Sequence, residues 1–466
     1  MGRTSRRGFL TAGLGAPVIL SAARLSGSES NGIVEVSITA NQQWVEVGGR
    51  FGHFYTYNGQ VPGPTIEAKP GDEIRITLRN DLTETTNLHF HGLHIPSTGN
   101  ADNVMLRVPP GESQEYSFTI PASHPSGTFW YHPHVHGSAA RQVSRGLAGA
   151  LIIRNATDSI PEITQAPEVL LVLQDFALDG IGRPVEPNMM GRMSGREGSL
   201  VTASGKVLPE LELQRDGWLR LRIVNASSSR FYRLRIEEHP LHVVATDGGF
   251  LAAPDSHDEI LVTPGERVEV MVAGDREPGE YGLWSLPYNR GGMGMGMMSG
   301  NAVSTPIQLA RLRYSGTAPS TWTLPQNLAG IERLPAPSIR RVFQLGQGMG
   351  MGMMGGGMSF TINGRSFNES RIDVRAVLNN VEEWEFVNPT AMDHPMHIHT
   401  NPFQVLEQPG TPVPAWKDTV LVRAGTRLAV RTAFRDYAGV SMYHCHILDH
   451  EDLGMMGTLQ IAAPAL

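Results

Sequence analysis

The sequence predicts an all-β chain built as three tandem β-sandwich domains, and three observations carry that prediction. A short, mostly alternating strand ending in asparagine occurs three times: Glu-Ile-Arg-Ile-Thr-Leu-Arg-Asn at 73–80, Trp-Leu-Arg-Leu-Arg-Ile-Val-Asn at 218–225 and Val-Glu-Glu-Trp-Glu-Phe-Val-Asn at 381–388. A turn landmark follows each, Pro110-Gly111-Glu112, Pro264-Gly265-Glu266 and the weaker Ala424-Gly425-Thr426, and at matched offsets beyond it stand Trp130, Trp284 and Tyr443. Short strands with turn signals recur throughout while helical periods are few, which is the pattern of sandwiches. Composition agrees: 40% of the 466 residues are hydrophobic and 18% charged, enough to bury large cores and unlike a disordered chain. A formal net charge of −7 gives no basic face for nucleic acid. The single cysteine, Cys445, excludes an intrachain disulfide and a Cys-rich zinc module. The 17 histidines and 20 methionines are unusual and point toward metal.

Taken in chain order, residues 1–30 read as an address. Ser5-Arg6-Arg7-Gly8-Phe9-Leu10 opens an uncharged, apolar stretch from Gly8 to Ala23, shorter than the roughly 20 residues of a membrane span, and Ser21-Ala22-Ala23 offers small residues for cleavage. The segment resembles a bacterial twin-arginine export signal. That implies the twin-arginine export machinery as a partner, a periplasmic or extracellular destination and no membrane attachment after processing. The three domains are expected near 31–155, 160–316 and 336–466, with Pro-rich linkers from Pro161 to Pro167 and from Pro319 to Pro337.

The repeats carry chemistry unequally. After the turn landmark, domain one reads Trp130-Tyr131-His132-Pro133-His134 and domain three reads Met442-Tyr443-His444-Cys445-His446. Domain two reads Tyr281-Gly282-Leu283-Trp284-Ser285, without histidine, and is expected to act as a spacer. Two more pairs are His89-Phe90-His91 and His397-Ile398-His399. Residues i and i+2 of a strand project to one face, so each pair can present two imidazoles to one metal cluster. A single such pair is more often two surface histidines; four, two of them at the same place in a repeat, are not.

Cys445 alternates with His444 and His446, so its sulfur points to the opposite face. His450 follows five residues later and Met455 five after that, with Gly454 letting the chain turn back. His394 opens the turn His394-Pro395-Met396-His397, out of phase with the pair behind it. A thiolate, two imidazoles and a weak thioether make a blue-copper electron-transfer site, here Cys445, His394, His450 and Met455. Eight imidazoles remain, His89, His91, His132, His134, His397, His399, His444 and His446. A zinc hydrolase needs only about three protein ligands, so several metal ions are expected. The other histidines, His53, His94, His124, His136, His239, His242 and His257, are expected to be structural or to support the ligands.

With these motifs in place (His89-x-His91-Gly92, Trp130-Tyr131-His132-x-His134, His394-Pro395-x-His397-x-His399, His444-Cys445-His446-x3-His450-x4-Met455), the chain resembles a three-domain bacterial multicopper oxidase, similar to laccases and copper-efflux oxidases, over essentially its whole mature length. The resemblance implies cupredoxin-like Greek-key β-sandwiches, four coppers per chain (one type 1, one type 2, two type 3) and a monomer. It implies His89 and His397 on the type 2 copper and His91, His132, His134, His399, His444 and His446 on the type 3 pair, with this cluster between domains one and three. It implies an oxidase that couples one-electron oxidation of phenolic substrates, Cu(I) or both to four-electron reduction of O2 to water. Glu451 and Asp102 match acids that the family uses in proton delivery, and Asp418 matches an acid that orients a ligand imidazole. Met455 stands where some members carry Leu or Phe, which implies a low or middling potential.

The methionines bear on the reducing substrate. One run holds Met293, Met295, Met297 and Met298; another holds Met349, Met351, Met353, Met354 and Met358; a third cluster is Met189, Met190 and Met193. The first two runs lack periodicity and are diluted with glycine, so they are expected to form surface loops, and soft thioethers select Cu(I). Met392 matches a position where efflux oxidases hold substrate Cu(I), but the acid those enzymes carry two residues upstream is Thr390 here. Two alternatives stay open: a broad phenol oxidase whose loops cover the substrate pocket, and a non-catalytic periplasmic copper-binding or scaffold protein on the same fold.

Overall fold

The computed structural model describes residues 24–25, 32–155, 160–292, 305–318, 321–349, 358–408, 411–412 and 415–464. Of the expected export signal only the short strand Arg24–Leu25 falls within them. The methionine run at 293–298, Met351, Met353 and Met354, and the side chains of Met349 and Met358 lie outside the described residues.

The described strands form six sheets, two for each repeat. The same pairing recurs three times. The first long strand of each repeat runs parallel to the asparagine-ending strand: Ile33–Val47 with Glu73–Asn80, Glu168–Phe176 with Trp218–Asn225, and Ile339–Met349 with Val381–Val387. That strand then pairs antiparallel with the one after the turn landmark, Ser113–Thr119, Arg267–Ala273 or Arg427–Ala433. The facing sheets carry the aromatic landmarks on Gly127–His132, Glu280–Leu286 and Gly439–Cys445. Each sandwich closes on its own apolar core, centred on residues such as Ile76 and Phe90, Leu221 and Leu234, and Trp384 and Phe403. The architecture is all-β, as the sequence predicts.

The asparagines explain the matched offsets. Asn80 Nδ2 donates to the Glu84 and Val108 carbonyls at 2.9 and 2.7 Å, while its Oδ1 accepts from Leu82 N. Asn225 does the same with Arg230 and Val262, and Asn388 with Met392 and Val422. One fully buried side chain thus ties two loops in each sandwich and leaves none of its polar atoms unpaired.

The domains are joined by buried contacts. Trp130, Ala148 and Ala150 of domain one pack on Val172, Val224 and Ala226 of domain two. The strand Trp218–Asn225 is buried on both faces because its outer face meets domain one: Arg222 donates to Thr128 there and to Glu269 on the adjoining strand of its own domain. The expected linkers are not free spans. The first contains a short helix, Pro161–Thr164, and the second packs Trp322 and Leu328 against domain two, with the Trp322 ring stacked on Trp218. Among the described residues no helix is long and apolar enough to cross a membrane.

Candidate metal centres

Strand register sets the histidines face to face. His89–His91 pairs antiparallel with Gly127–His132, with His89 opposite His132. His394–Ile398 pairs antiparallel with Gly439–Cys445, with His397 opposite His444 and Met396 opposite Cys445. His394 therefore lies in a strand and not in the turn expected for it. Pro395 is accommodated because its register partner is Leu421 and its carbonyl accepts from His446 N at 2.7 Å.

The eight imidazoles of His89, His91, His132, His134, His397, His399, His444 and His446 are each no more than 3% exposed and face one another between domains one and three. Their nitrogens form three adjoining groups: His89, His91 and His397; His91, His132 and His446; His134, His399 and His444. Within each group one nitrogen per ring lies within 4.8 Å of the others.

In four of these rings, His89, His91, His132 and His397, the outward nitrogen is hydrogen-bonded and the inward one is not; His446 has neither nitrogen bonded. His89 Nδ1 meets Asp102 Oδ1 at 2.8 Å, His132 Nδ1 the Pro133 carbonyl at 3.0 Å, and His397 Nδ1 the Asp418 carbonyl at 2.8 Å. His444 Nδ1 meets the Cys445 carbonyl at 3.0 Å. His91 is reversed: its Nε2 meets Asp418 Oδ1 at 3.0 Å, leaving Nδ1 inward. The inward atoms, His89 Nε2, His91 Nδ1, His132 Nε2 and His397 Nε2, have no hydrogen-bond partner although fully buried. An acceptor on one ring nitrogen fixes the proton there and turns the lone pair of the other inward, which is how a metal-binding histidine is held. His444 Nε2 lies 3.1 Å from His134 Nε2 and 2.9 Å from His399 Nε2, so ring nitrogens converge where a cation would relieve their crowding. Burial also pushes His89, His91, His132, His134, His399, His444 and His446 down, His132 to about 3, so at neutral pH these rings are uncharged and available as ligands. The donor set fits transition-metal ions that accept imidazole, copper included.

On the opposite face of the Cys445 strand, Sγ lies 3.6 Å from His394 Nδ1 and 3.7 Å from His450 Nδ1, and the two nitrogens are 3.3 Å apart. Burial pushes the Cys445 thiol up, so a bound cation would be needed to hold it as thiolate. Met455 is fully buried in the same core, and its backbone bonds both His450 and Cys445. Gly454 makes that return at φ +109, where an added Cβ would meet the Phe360 carbonyl at 3.0 Å. The outer nitrogens of the two rings are covered: His450 Nε2 by the Met193 carbonyl at 3.1 Å, His394 Nε2 by Thr390 Oγ1 at 3.0 Å.

The two acids noted in the sequence both reach the histidine groups. Asp102 is buried, accepts from His89 Nδ1 and Phe90 N, and burial lifts its pKa to about 8. Glu451 is buried with neither carboxylate oxygen hydrogen-bonded, its Oε2 3.3 Å from His444 Nδ1 and Oε1 3.6 Å from His134 Nε2, and burial pushes its pKa well up. It is held by its neighbours on the helix Leu448–Asp452: Asp449 pairs with Arg196, and Asp452 accepts from Gly137, Ala139 and Ala140 N–H groups. Met392 is 2% exposed, its Sδ 3.8 Å from Gln347 Nε2. Among the described residues, the other seven histidines lie outside these groups. His94, for example, bonds Asp436 and the Thr400 carbonyl.

Domain two adds none of the grouped histidines, yet it is more than a spacer. Its Met193 carbonyl covers His450, its Gly265 lies against the His446 ring, and its Arg267 holds Asp418. The sequence offered no signal for these contacts. One is a backbone atom, one is a glycine in a turn present in all three repeats, and one is an arginine opening a strand that also carries Glu269.

Comparison with known proteins places this geometry. Three family models, each described as multicopper oxidase, match residues 39–158, 173–317 and 337–464. Relatives include a multicopper oxidase mco of Staphylococcus haemolyticus, 28% identical over 94% of this chain and 90% of the relative. They also include the cell division protein FtsP of Escherichia coli, 30% identical over 87% of this chain and 84% of the relative. Among solved structures, a multicopper oxidase from Campylobacter jejuni described as a metallo-oxidase is 32% identical, with a TM-score of 0.83 covering 95% of this chain and 94% of that one.

Proposed function

The chain belongs to the multicopper oxidase family, and from that premise we propose that it is an exported oxidase that takes electrons singly from Cu(I), and from phenols, and passes them to O2. Four one-electron oxidations balance one O2, which takes four electrons and four protons to give two waters. The observation that carries the reading is the set of buried inward-facing nitrogens without partners, beside a Cys445 site one residue away in the chain.

Four coppers are proposed: one that Cys445, His394 and His450 would hold with Met455 as a weaker donor, one that His89 and His397 would hold, and a pair that His91, His132 and His446 and His134, His399 and His444 would hold. When bound, they supply the one-electron redox chemistry that side chains lack. The chain's own residues do the rest. Cys445 is covalently continuous with His444 and His446, so the two sites share a short through-bond path. The Met193 carbonyl and Thr390 cover the outer edges of His450 and His394, so electrons enter beside residues 193 and 390. Glu451 and Asp102 hold protons next to the rings where O2 is reduced.

Cu(I) is favoured as substrate by what surrounds Met392. Gly292, the last described residue before the 293–298 methionine run, donates its N–H to the Ala391 carbonyl at 3.0 Å. Gln347, two residues before Met349, contacts Met392 itself. Both methionine runs therefore leave the described chain beside the His394 side of the cysteine site. Export through the twin-arginine route is proposed from Arg6-Arg7; replacing both by Lys should strand the protein inside the cell. A second reading is a role in cell division without oxidase activity, favoured by the FtsP relatives. Oxygen uptake by copper-loaded protein, comparing Cu(I) with a simple phenol, tests both. Much higher kcat/KM for Cu(I) is expected. Phenol turnover indifferent to added copper makes it a phenol oxidase, and no uptake with either, at full copper, leaves the division role.

A further inference from the structure

We propose that Arg267, a residue of the middle domain, is a positioning residue for the histidine cluster between the outer two. The inference rests on the reading above that this cluster holds copper.

Arg267 is fully buried and every donor of its guanidinium is used. Nε donates to the Thr128 carbonyl of domain one at 3.0 Å. Nη1 donates to the Gly265 carbonyl at 3.0 Å and Nη2 to the Asp247 carbonyl at 2.9 Å, both within domain two. The remaining two donors grip the carboxylate of Asp418 in domain three, Nη1 to Oδ1 at 2.9 Å and Nη2 to Oδ2 at 2.5 Å. One side chain thus clamps three domains at one point, in the planar bidentate geometry that lysine cannot reproduce.

What it clamps is the residue that orients two ligands. Asp418 Oδ1 accepts from His91 Nε2, and its backbone carbonyl accepts from His397 Nδ1. The two rings, one from each outer domain, stack with centroids 3.8 Å apart. His91 is the ring that presents Nδ1 inward, and the Asp418 bond is what makes it do so. Thr419 Oγ1 closes the set, donating to Asp418 Oδ1 at 2.9 Å. The arrangement also accounts for the glycine in His89-x-His91-Gly92. At φ +88, a Cβ on Gly92 would fall 2.2 Å from Arg267 Nη2 and 2.6 Å from Asp418 Oδ2. The chain next to His91 lacks a side chain because the Arg267–Asp418 pair occupies its place.

The test uses the full copper-loaded protein with R267K and, as control, R220K. Arg220 is another buried arginine, paired with Glu269 and Glu168 of its own domain. R267K is expected to keep the blue absorption of the Cys445 site at wild-type strength. It should alter the hyperfine splitting of the type 2 EPR signal and release cluster copper to a chelator about 10–100-fold more readily, the usual cost of losing a ligand's hydrogen-bond partner. kcat for oxygen uptake should fall while KM for the reducing substrate holds. R220K should lower Tm without touching the EPR signal. D418N should reproduce the EPR change, and the double variant should add little to it. A wild-type EPR signal and copper retention in R267K overturn the inference, as does the same EPR change in R220K. If R267K does not fold, a wild-type spectrum in D418N overturns it equally. Wild-type protein without type 2 copper would instead remove the functional reading beneath it.

Discussion

Substituting Gly265 by alanine should injure the histidine cluster while sparing the cysteine site. Gly265 sits at φ +87, where an L-residue costs roughly 1–2 kcal/mol in backbone strain. Its new Cβ would lie 2.8 Å from two ring carbons of His446, against 3.4 Å for the close end of ordinary contact. Relief requires the ring to retreat by about 0.6 Å, roughly three times the ~0.2 Å tolerance of a metal–ligand distance. The cost is therefore delivered to a ligand and not only to the turn. The equivalent glycines of the other repeats, Gly111 and Gly425, share the positive φ but meet nothing within 4 Å, so G111A and G425A carry the strain alone. All three variants should lose a few degrees of Tm. Only G265A should lose cluster copper and at least about tenfold in oxygen uptake, with blue absorption intact because Cys445 projects to the other face. Full cluster copper and wild-type oxygen uptake in G265A would refute the reasoning.

Three further outcomes are expected. C445S removes the thiolate alone: blue absorption and oxidation of either substrate should vanish while cluster copper stays, and loss of all copper would show that the sites are not separable. Glu168 sits between Arg154 of domain one and Arg220 and Arg222 of domain two; burial opposes its charge, but the three arginines outweigh it and hold its pKa down to about 2, from 4.5. A depressed carboxylate stabilises above its unfolded pKa, so roughly 3 kcal/mol should be present at pH 7 and fade as pH falls from 4.5 through 2. E168Q should lower Tm at pH 7 with a gap that narrows on acidification, and a constant gap removes the ion cluster as its cause. Replacing the methionines of the 293–298 and 349–358 runs by Ser should lower kcat/KM for Cu(I) and leave cluster copper unchanged; unchanged Cu(I) kinetics would remove those runs from the substrate site.

Much of the fold was legible because the repeat is physical and not merely statistical. Asn80, Asn225 and Asn388 recur since each pins the same two loops, and the Pro-Gly turns recur since Gly111 N and Gly265 N bond the Asn80 and Asn225 carbonyls. The histidine pairs were legible because strand alternation sends i and i+2 to one face and Cys445 to the other. His394 was not: its Pro395 read as a turn, whereas register with Leu421 keeps it in a strand. Arg267 was illegible because a buried arginine has no periodic signature, and its meaning lies in three acceptors that are distant in sequence. The Met193 carbonyl was illegible because a backbone atom has no residue type. The Pro319–Pro337 stretch looked like a linker because its turn residues hide Trp322 and Leu328, which bind it to domain two.

The central claim is that three histidine groups and one cysteine group hold copper together. Elemental analysis of the copper-loaded chain tests it most directly. Four copper atoms per chain are expected, with three remaining in C445S. One copper atom per chain or fewer, in folded protein, would contradict the account.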